Sequence, residues 1–173
     1  MHSIWLMPDI VMTQRLRSII ESLSHGLDSP VFEPHITFVG DISGDIAESE
    51  KKCMALKPAL TREPSTFRSI EMSESHFMYL FATVSVSDHL HALRTKLFQS
   101  LNMDVSEWRP HISLAYGAGK VAKRRRISKE LTSILAGVEF SISSLEIVMA
   151  SQQTKPDVWE VVKRIDFNLA GAG

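Results

Sequence analysis

Two five-residue strings constrain this chain more than anything else in it: Pro34-His35-Ile36-Thr37-Phe38 and Pro110-His111-Ile112-Ser113-Leu114. Each reads proline, histidine, isoleucine, hydroxyl, apolar residue, and the two histidines stand 76 positions apart. Side chains two apart on a strand share a face. His35 then shares a face with Thr37 and His111 shares one with Ser113, while Ile36, Phe38, Ile112 and Leu114 turn to the opposite, core face. Proline gives no N–H to a ladder and biases the residue before it, Glu33 or Arg109, towards extended backbone, so each histidine is expected where a strand begins. A single His-x-Thr is common in strands. Its recurrence with the same flanks predicts two equivalent halves.

The rest of the chain supports that division. Ile4 to Met7 reads as a short buried strand, and Pro8-Asp9 opens a helix over Ile10 to Leu23, with Val11, Leu16, Ile19, Ile20 and Leu23 as its apolar stripe and His25-Gly26 as its end. Val31 to Gly40 is the next strand, Ile46 to Leu56 a helix, and Thr66 to Met72 and Met78 to Val86 two further strands. Ser87-Asp88 caps a third helix with Leu90, Leu93, Leu97, Phe98 and Leu101 as its buried stripe. Arg109 to Tyr116 is a strand, Val121 to Leu135 a basic helix, and Phe140 to Ala150 and Val158 to Phe167 the last strands. The order is β-α-β-α-β-β run twice, with the strand at Met78 opening the second run. No glycine-, serine- or proline-rich linker separates the runs, so residues 1–173 are expected to form one two-lobed domain of the α+β class.

Charge limits what this domain can bind. A formal net charge of -1 gives no global attraction for a polyanion, so phosphate recognition must be local and no stable nucleic-acid partner is expected. The single cysteine, Cys53, cannot form an internal disulfide, and it reads as a helix-core residue. That usage fits a reducing compartment, and a cytoplasmic monomer is the expectation. The apolar stretch Ile4 to Met7 is too short for a signal-peptide core or a membrane span, and no membrane association is expected.

Two imidazoles and two hydroxyls on two equivalent strands form a set that suits one chemistry. Opening a cyclic phosphodiester needs a base for water, an acid for the departing alkoxide, and donors for the charged non-bridging oxygens. Histidine, with an ordinary pKa near ~6.5, can be neutral or charged at neutral pH, and a hydroxyl can donate without titrating. Neither motif carries a carboxylate cluster, so no metal or other cofactor is expected.

The doubled His-x-Thr/Ser-x pattern resembles the 2H phosphoesterase superfamily. Within it, Ser3-Ile4-Trp5-Leu6-Met7-Pro8 and His111-Ile112-Ser113-Leu114-Ala115-Tyr116-Gly117 are most similar to the cyclic phosphodiesterases of plants and fungi. The resemblance implies two lobes related by a pseudo-twofold axis, each with an antiparallel sheet and flanking helices, and an active-site cleft between them. It implies hydrolysis, without metal, of ADP-ribose 1″,2″-cyclic phosphate to the 1″-phosphate and of nucleoside 2′,3′-cyclic phosphates to 2′-phosphates. His35, His111, Thr37 and Ser113 would be the catalytic residues, with His111 as base and His35 as acid. An enzyme acting on 2′,3′-cyclic, 2′,5′ or 3′-terminal RNA linkages is a rival reading, and a non-catalytic module for phosphorylated ends is another.

Other residues leave alternatives open. Tyr116, just after the second motif, is a substrate contact by resemblance, although strand parity turns it towards the core. Trp5 is a base-stacking residue or a core one, as are Trp108 and Phe77. Lys123-Arg124-Arg125-Arg126 is a solvated helix face, a distal-phosphate contact or a targeting signal. His76, His89 and His91 carry no companion pattern, and His2 and His25 read as surface residues.

Overall fold

A computed structural model describes residues 1–169, which form seven strands and four α-helices. The elements are β1 (His2–Pro8), α1 (Ile10–Leu27), β2 (Ile36–Ile42), α2 (Ile46–Leu56), β3 (Glu63–Glu71), β4 (Leu80–Ser85), α3 (Asp88–Ser100), β5 (His111–Ala115), α4 (Val121–Leu135), β6 (Glu139–Met149) and β7 (Glu160–Asp166). The repeat is therefore β-α-β-α-β, taken twice. The strand near Met78 belongs to the second run alone, and β7 stands outside the repeat.

The strands lie in the order β1-β2-β5-β4-β3-β6-β7, and pairing of β1 with β6 closes the first six into a ring. Every named pair is antiparallel. A pseudo-twofold axis between β2 and β5 exchanges β1 with β4 and β3 with β6. The third strand of each run has crossed to the other lobe: β6 joins β1 and β2, and β3 joins β4 and β5. Two three-stranded antiparallel lobes result, one of them extended by β7 beside β6, and α1 and α3 cross between them as well. α1 packs on β5 and α4 on β3, while α3 packs on β2 and α2 on β6.

Local chemistry sets the element ends. The Asp9 carboxylate accepts the Met12 N–H at 3.0 Å and caps α1. α1 does not stop at His25-Gly26 but runs on to Leu27, where Asp28 in the left-handed region (φ 54°) ends it. Its buried stripe is Met12, Leu16, Ile20 and Leu27, and Val11 faces solvent instead. Ser87 Oγ caps α3 by accepting the Leu90 N–H. The ladder of β2 begins at Ile36, five residues after Val31, because Pro30 and Pro34 lack the N–H it needs.

One core runs between the outer face of the ring and the helices, built from Ile4, Leu6, Ile36, Phe38, Ile112, Leu114 and Leu145 with Leu16, Leu97 and Leu131. Cys53 is fully buried in it, and burial pushes its thiol up to about 12. His2 is not a surface residue: it is 1% exposed and its Nε2 lies 2.8 Å from Ser49 Oγ. His25 is exposed.

The basic run is not a uniform solvated face. Arg124 is 1% exposed, lies over the Tyr79 ring, and donates to the carbonyls of Ser73 (2.7 Å) and Tyr79 (2.8 Å) and to the Glu74 carboxylate. It clasps the loop between β3 and β4 from behind. Arg124→Ala would leave two buried carbonyls without donors, each costing about 1–3 kcal/mol, and open a cavity besides. Urea unfolding is expected to show a loss of about 3 kcal/mol or more, whereas Arg125→Ala, on the exposed side, stays within about 0.5 kcal/mol.

Candidate active site

The two motifs meet at the pseudo-twofold axis. Antiparallel pairing of Ile36 with Ile112 sets Thr37 across from His111 and Ser113 across from His35, so two imidazoles and two hydroxyls form one square on the inner face of the ring. All four line a cavity of about 230 Å³, together with Trp5, Phe77, Tyr116, Trp159, Asp41 and Gln152. Both sequence-predicted contact residues, Trp5 and Tyr116, are in its wall.

Each histidine is oriented by its own strand. His35 Nδ1 lies 2.7 Å from the Glu33 carbonyl oxygen, and His111 Nδ1 lies 2.9 Å from the Arg109 carbonyl oxygen. A carbonyl only accepts, so each Nδ1 carries the hydrogen and each Nε2 presents its lone pair when the ring is neutral. The proline of each motif holds the extended turn that brings the carbonyl of the residue before it under the ring.

Aromatic packing repeats with the same 76-residue offset. Trp5 stacks on His35, with centroids 3.6 Å apart and planes 8° from parallel. Phe81, its counterpart in β4, meets His111 edge-on at 5.3 Å. His35 is 8% exposed, and burial lowers its pKa to about 4, against a smaller opposing effect of the Glu33 carbonyl. Burial also lowers His111, and the Arg109 guanidinium adds to the effect. In the free protein both rings are neutral at pH 7. The sequence allowed one ring to be charged, and it is an anion that would bring that charge in.

The two hydroxyls are not equivalent. Ser113 Oγ donates to the Phe77 carbonyl at 2.7 Å, so its lone pairs face the cavity. The Thr37 carbonyl accepts the Trp108 Nε1–H at 3.0 Å. Trp108 thus packs against Arg94 and Phe38 behind the site, and it does not line the cavity. Tyr116 stacks on Phe32 at 3.9 Å, and burial pushes its phenol up. Strand parity misled because β5 ends at Ala115, which frees Tyr116 to turn inward.

Asp41, Gln152 and Trp159 line the cavity although the sequence pattern singled out none of them; Trp159 lies in the turn before β7. Its Nε1–H donates to Thr154 Oγ1 at 3.0 Å, and its ring meets Trp5 and Tyr116 edge-on. A large aromatic closing the polar stretch Gln152 to Asp157 was the available signal. Among the described residues, no group of three or more His, Cys, Asp or Glu side chains converges. None of the described helices is long and apolar enough to cross a membrane.

Comparisons with known proteins bear on the fold and the family. A family model described as cyclic phosphodiesterase-like protein matches residues 1–167. The cyclic phosphodiesterase of Arabidopsis thaliana is 20% identical over 172 residues, covering 96% of this chain and 95% of that protein. Among solved structures, TT0787 of Thermus thermophilus superposes with a TM-score of 0.60 at 15% identity, covering 96% of this chain and 98% of that one. LigT of E. coli complexed with 3′-AMP superposes with a TM-score of 0.58 at 14% identity over the same shares.

The buried imidazoles make stability depend on pH. With the His35 pKa at about 4 in the fold and near 6.5 unfolded, the unfolded chain binds more protons between those values. The contribution is complete above pH 6.5 and is lost as pH falls towards 4, about 3 kcal/mol in total. His35→Asn keeps a donor near the Nδ1 position and removes the titration. Urea unfolding across pH 4–7 should show a flatter dependence in this variant, and superimposable curves would contradict the assignment.

Proposed function

Because the chain belongs to the cyclic phosphodiesterase-like family of the 2H phosphoesterase superfamily, we propose that it hydrolyses small cyclic phosphodiesters by a two-histidine acid/base mechanism needing no metal. Candidate substrates are ADP-ribose 1″,2″-cyclic phosphate, opened to the 1″-phosphate, and nucleoside 2′,3′-cyclic phosphates, opened to 2′-phosphates. The observation that carries the mechanism is the shared tautomer: both Nδ1–H groups are held by carbonyls, so both Nε2 atoms are free towards one cavity.

The chemistry follows from that arrangement. His111 Nε2 takes a proton from water as it attacks phosphorus, and His35 Nε2 gives one to the departing alkoxide on the far side. The negative phosphate raises the low pKa of its neighbour and so supplies the acid with its proton on binding. Thr37 donates to a non-bridging oxygen. Ser113, whose proton is already engaged by Phe77, must rotate to do the same. The complex of LigT with 3′-AMP supports a site that receives a nucleotide phosphate.

His35→Ala and His111→Ala are each expected to lower kcat on a nucleoside 2′,3′-cyclic phosphate by about 10²–10⁴-fold in protein that remains folded. With an aryl leaving group the loss in His35→Ala should shrink, because little protonation is then needed. Thr37→Ala should cost more than Ser113→Ala. Near-normal turnover in either histidine variant would remove the paired mechanism.

A further inference from the structure

We infer that the cavity selects against substrates carrying charge beyond the cyclic phosphate itself, with Asp41 as the specificity residue at one end. The inference rests on the phosphodiesterase reading and narrows it. Among the described residues that line the cavity there is no lysine or arginine, and its one carboxylate is Asp41. Arg17 pairs with Glu33, Arg109 with Glu71 and, on β7, Arg164 with Glu146, while Lys155 in the turn before Trp159 is exposed and does not line the cavity. In the basic run Arg124 is committed to the β3–β4 loop, Lys120 to Asp28 and Lys123 to the Gly26 carbonyl, and Arg125, Arg126 and Lys129 are exposed and do not line the cavity.

Strand register gives the cavity a direction. Past the His35–Ser113 pair lie Tyr116, Phe77 and Trp159. Past the Thr37–His111 pair lie Gly40 and Asp41, since β2 and β5 run antiparallel. Asp41 is four residues beyond Thr37, at most ~13 Å along an extended strand. It sits at φ 52°, its Oδ1 accepts the Gln152 N–H at 3.0 Å, and its own N–H donates to Ser3 Oγ at 3.2 Å. The carboxylate is thereby fixed in the wall.

A phosphate held between the two Nε2 atoms leaves the remainder of its ligand two ways to run. Towards the aromatic end, a second phosphate would lose its hydration against rings with no countercharge. Towards the other end, it meets a carboxylate within about a Debye length, ~10 Å at 0.1 M salt. Charge is disfavoured in both directions, whereas an uncharged nucleoside finds aromatic surface to stack on. The class selected is a nucleoside 2′,3′-cyclic monophosphate with a free 5′-hydroxyl, ahead of ADP-ribose 1″,2″-cyclic phosphate with its pyrophosphate.

The test compares turnover of adenosine 2′,3′-cyclic phosphate with that of its 5′-phosphorylated form at low salt. Calorimetry of adenosine 2′-phosphate and adenosine 2′,5′-bisphosphate supplies binding independently of turnover. The 5′-phosphate should lower kcat/KM by about tenfold or more, and binding should follow the same order. Asp41→Asn tolerates the left-handed backbone and keeps the Oδ1 acceptor while removing the charge. It should narrow the preference about threefold or more, mainly through KM. Equal or better use of the 5′-phosphorylated substrate by the wild type, or an unchanged ratio in Asp41→Asn, overturns the inference and leaves the phosphodiesterase reading intact. Neither turnover nor product binding would overturn both.

Discussion

Everything functional in this molecule depends on the pairing of β2 with β5 at Ile36 and Ile112. That contact sits on the pseudo-twofold axis, and the antiparallel register around it brings two distant strings into one square. The isoleucines are fully buried, so their side chains lock the pair from the core side while the polar residues on either side of them face the cavity. A slip of one residue in either strand would turn that strand's imidazole and hydroxyl into the core and its isoleucine into the cavity, which makes the register expensive to lose.

Around that pair the protein spends its polar contacts on orientation. Carbonyls of Glu33 and Arg109 fix the imidazole tautomers, and Trp5 and Phe81 press on the rings. The same burial that orients the rings drives off their protons, so the charged state is reserved for a site holding an anion. Arg124 acts at one remove: it secures the loop that carries Phe77, whose carbonyl in turn holds Ser113. The four cavity side chains thus rest on strands and on clasped backbone, which gives them the rigidity that the proposed proton transfer over hydrogen-bond distances requires.

Much of this was legible in the sequence because it is written in local pattern. The helices expected at about Ile46 to Leu56 and Val121 to Leu135 form over those residues, and the proline–histidine strings locate the strand starts. The crossing of the third strands between lobes was not legible, since it is fixed by ring closure of β1 with β6 and leaves no local mark. Arg124 was indistinguishable from its neighbours, for helix phase buries it while Arg125 stays out. His2 was read as a surface residue, yet β1 begins there and packs it on Ser49. Trp159 reaches the cavity through a turn whose geometry no periodicity describes.

The central claim is that both neutral imidazoles are protonated at Nδ1 and turn Nε2 towards one phosphate. Nitrogen-15 NMR of histidine-labelled protein at pH 7 reads this directly. The account predicts that His35 and His111, assigned by single substitution, both show the Nδ1–H neutral tautomer in the free protein, and that saturating nucleoside 2′-phosphate converts one of them to imidazolium. An Nε2–H tautomer at either residue, or two rings that stay neutral and unshifted when the phosphate binds, would contradict it.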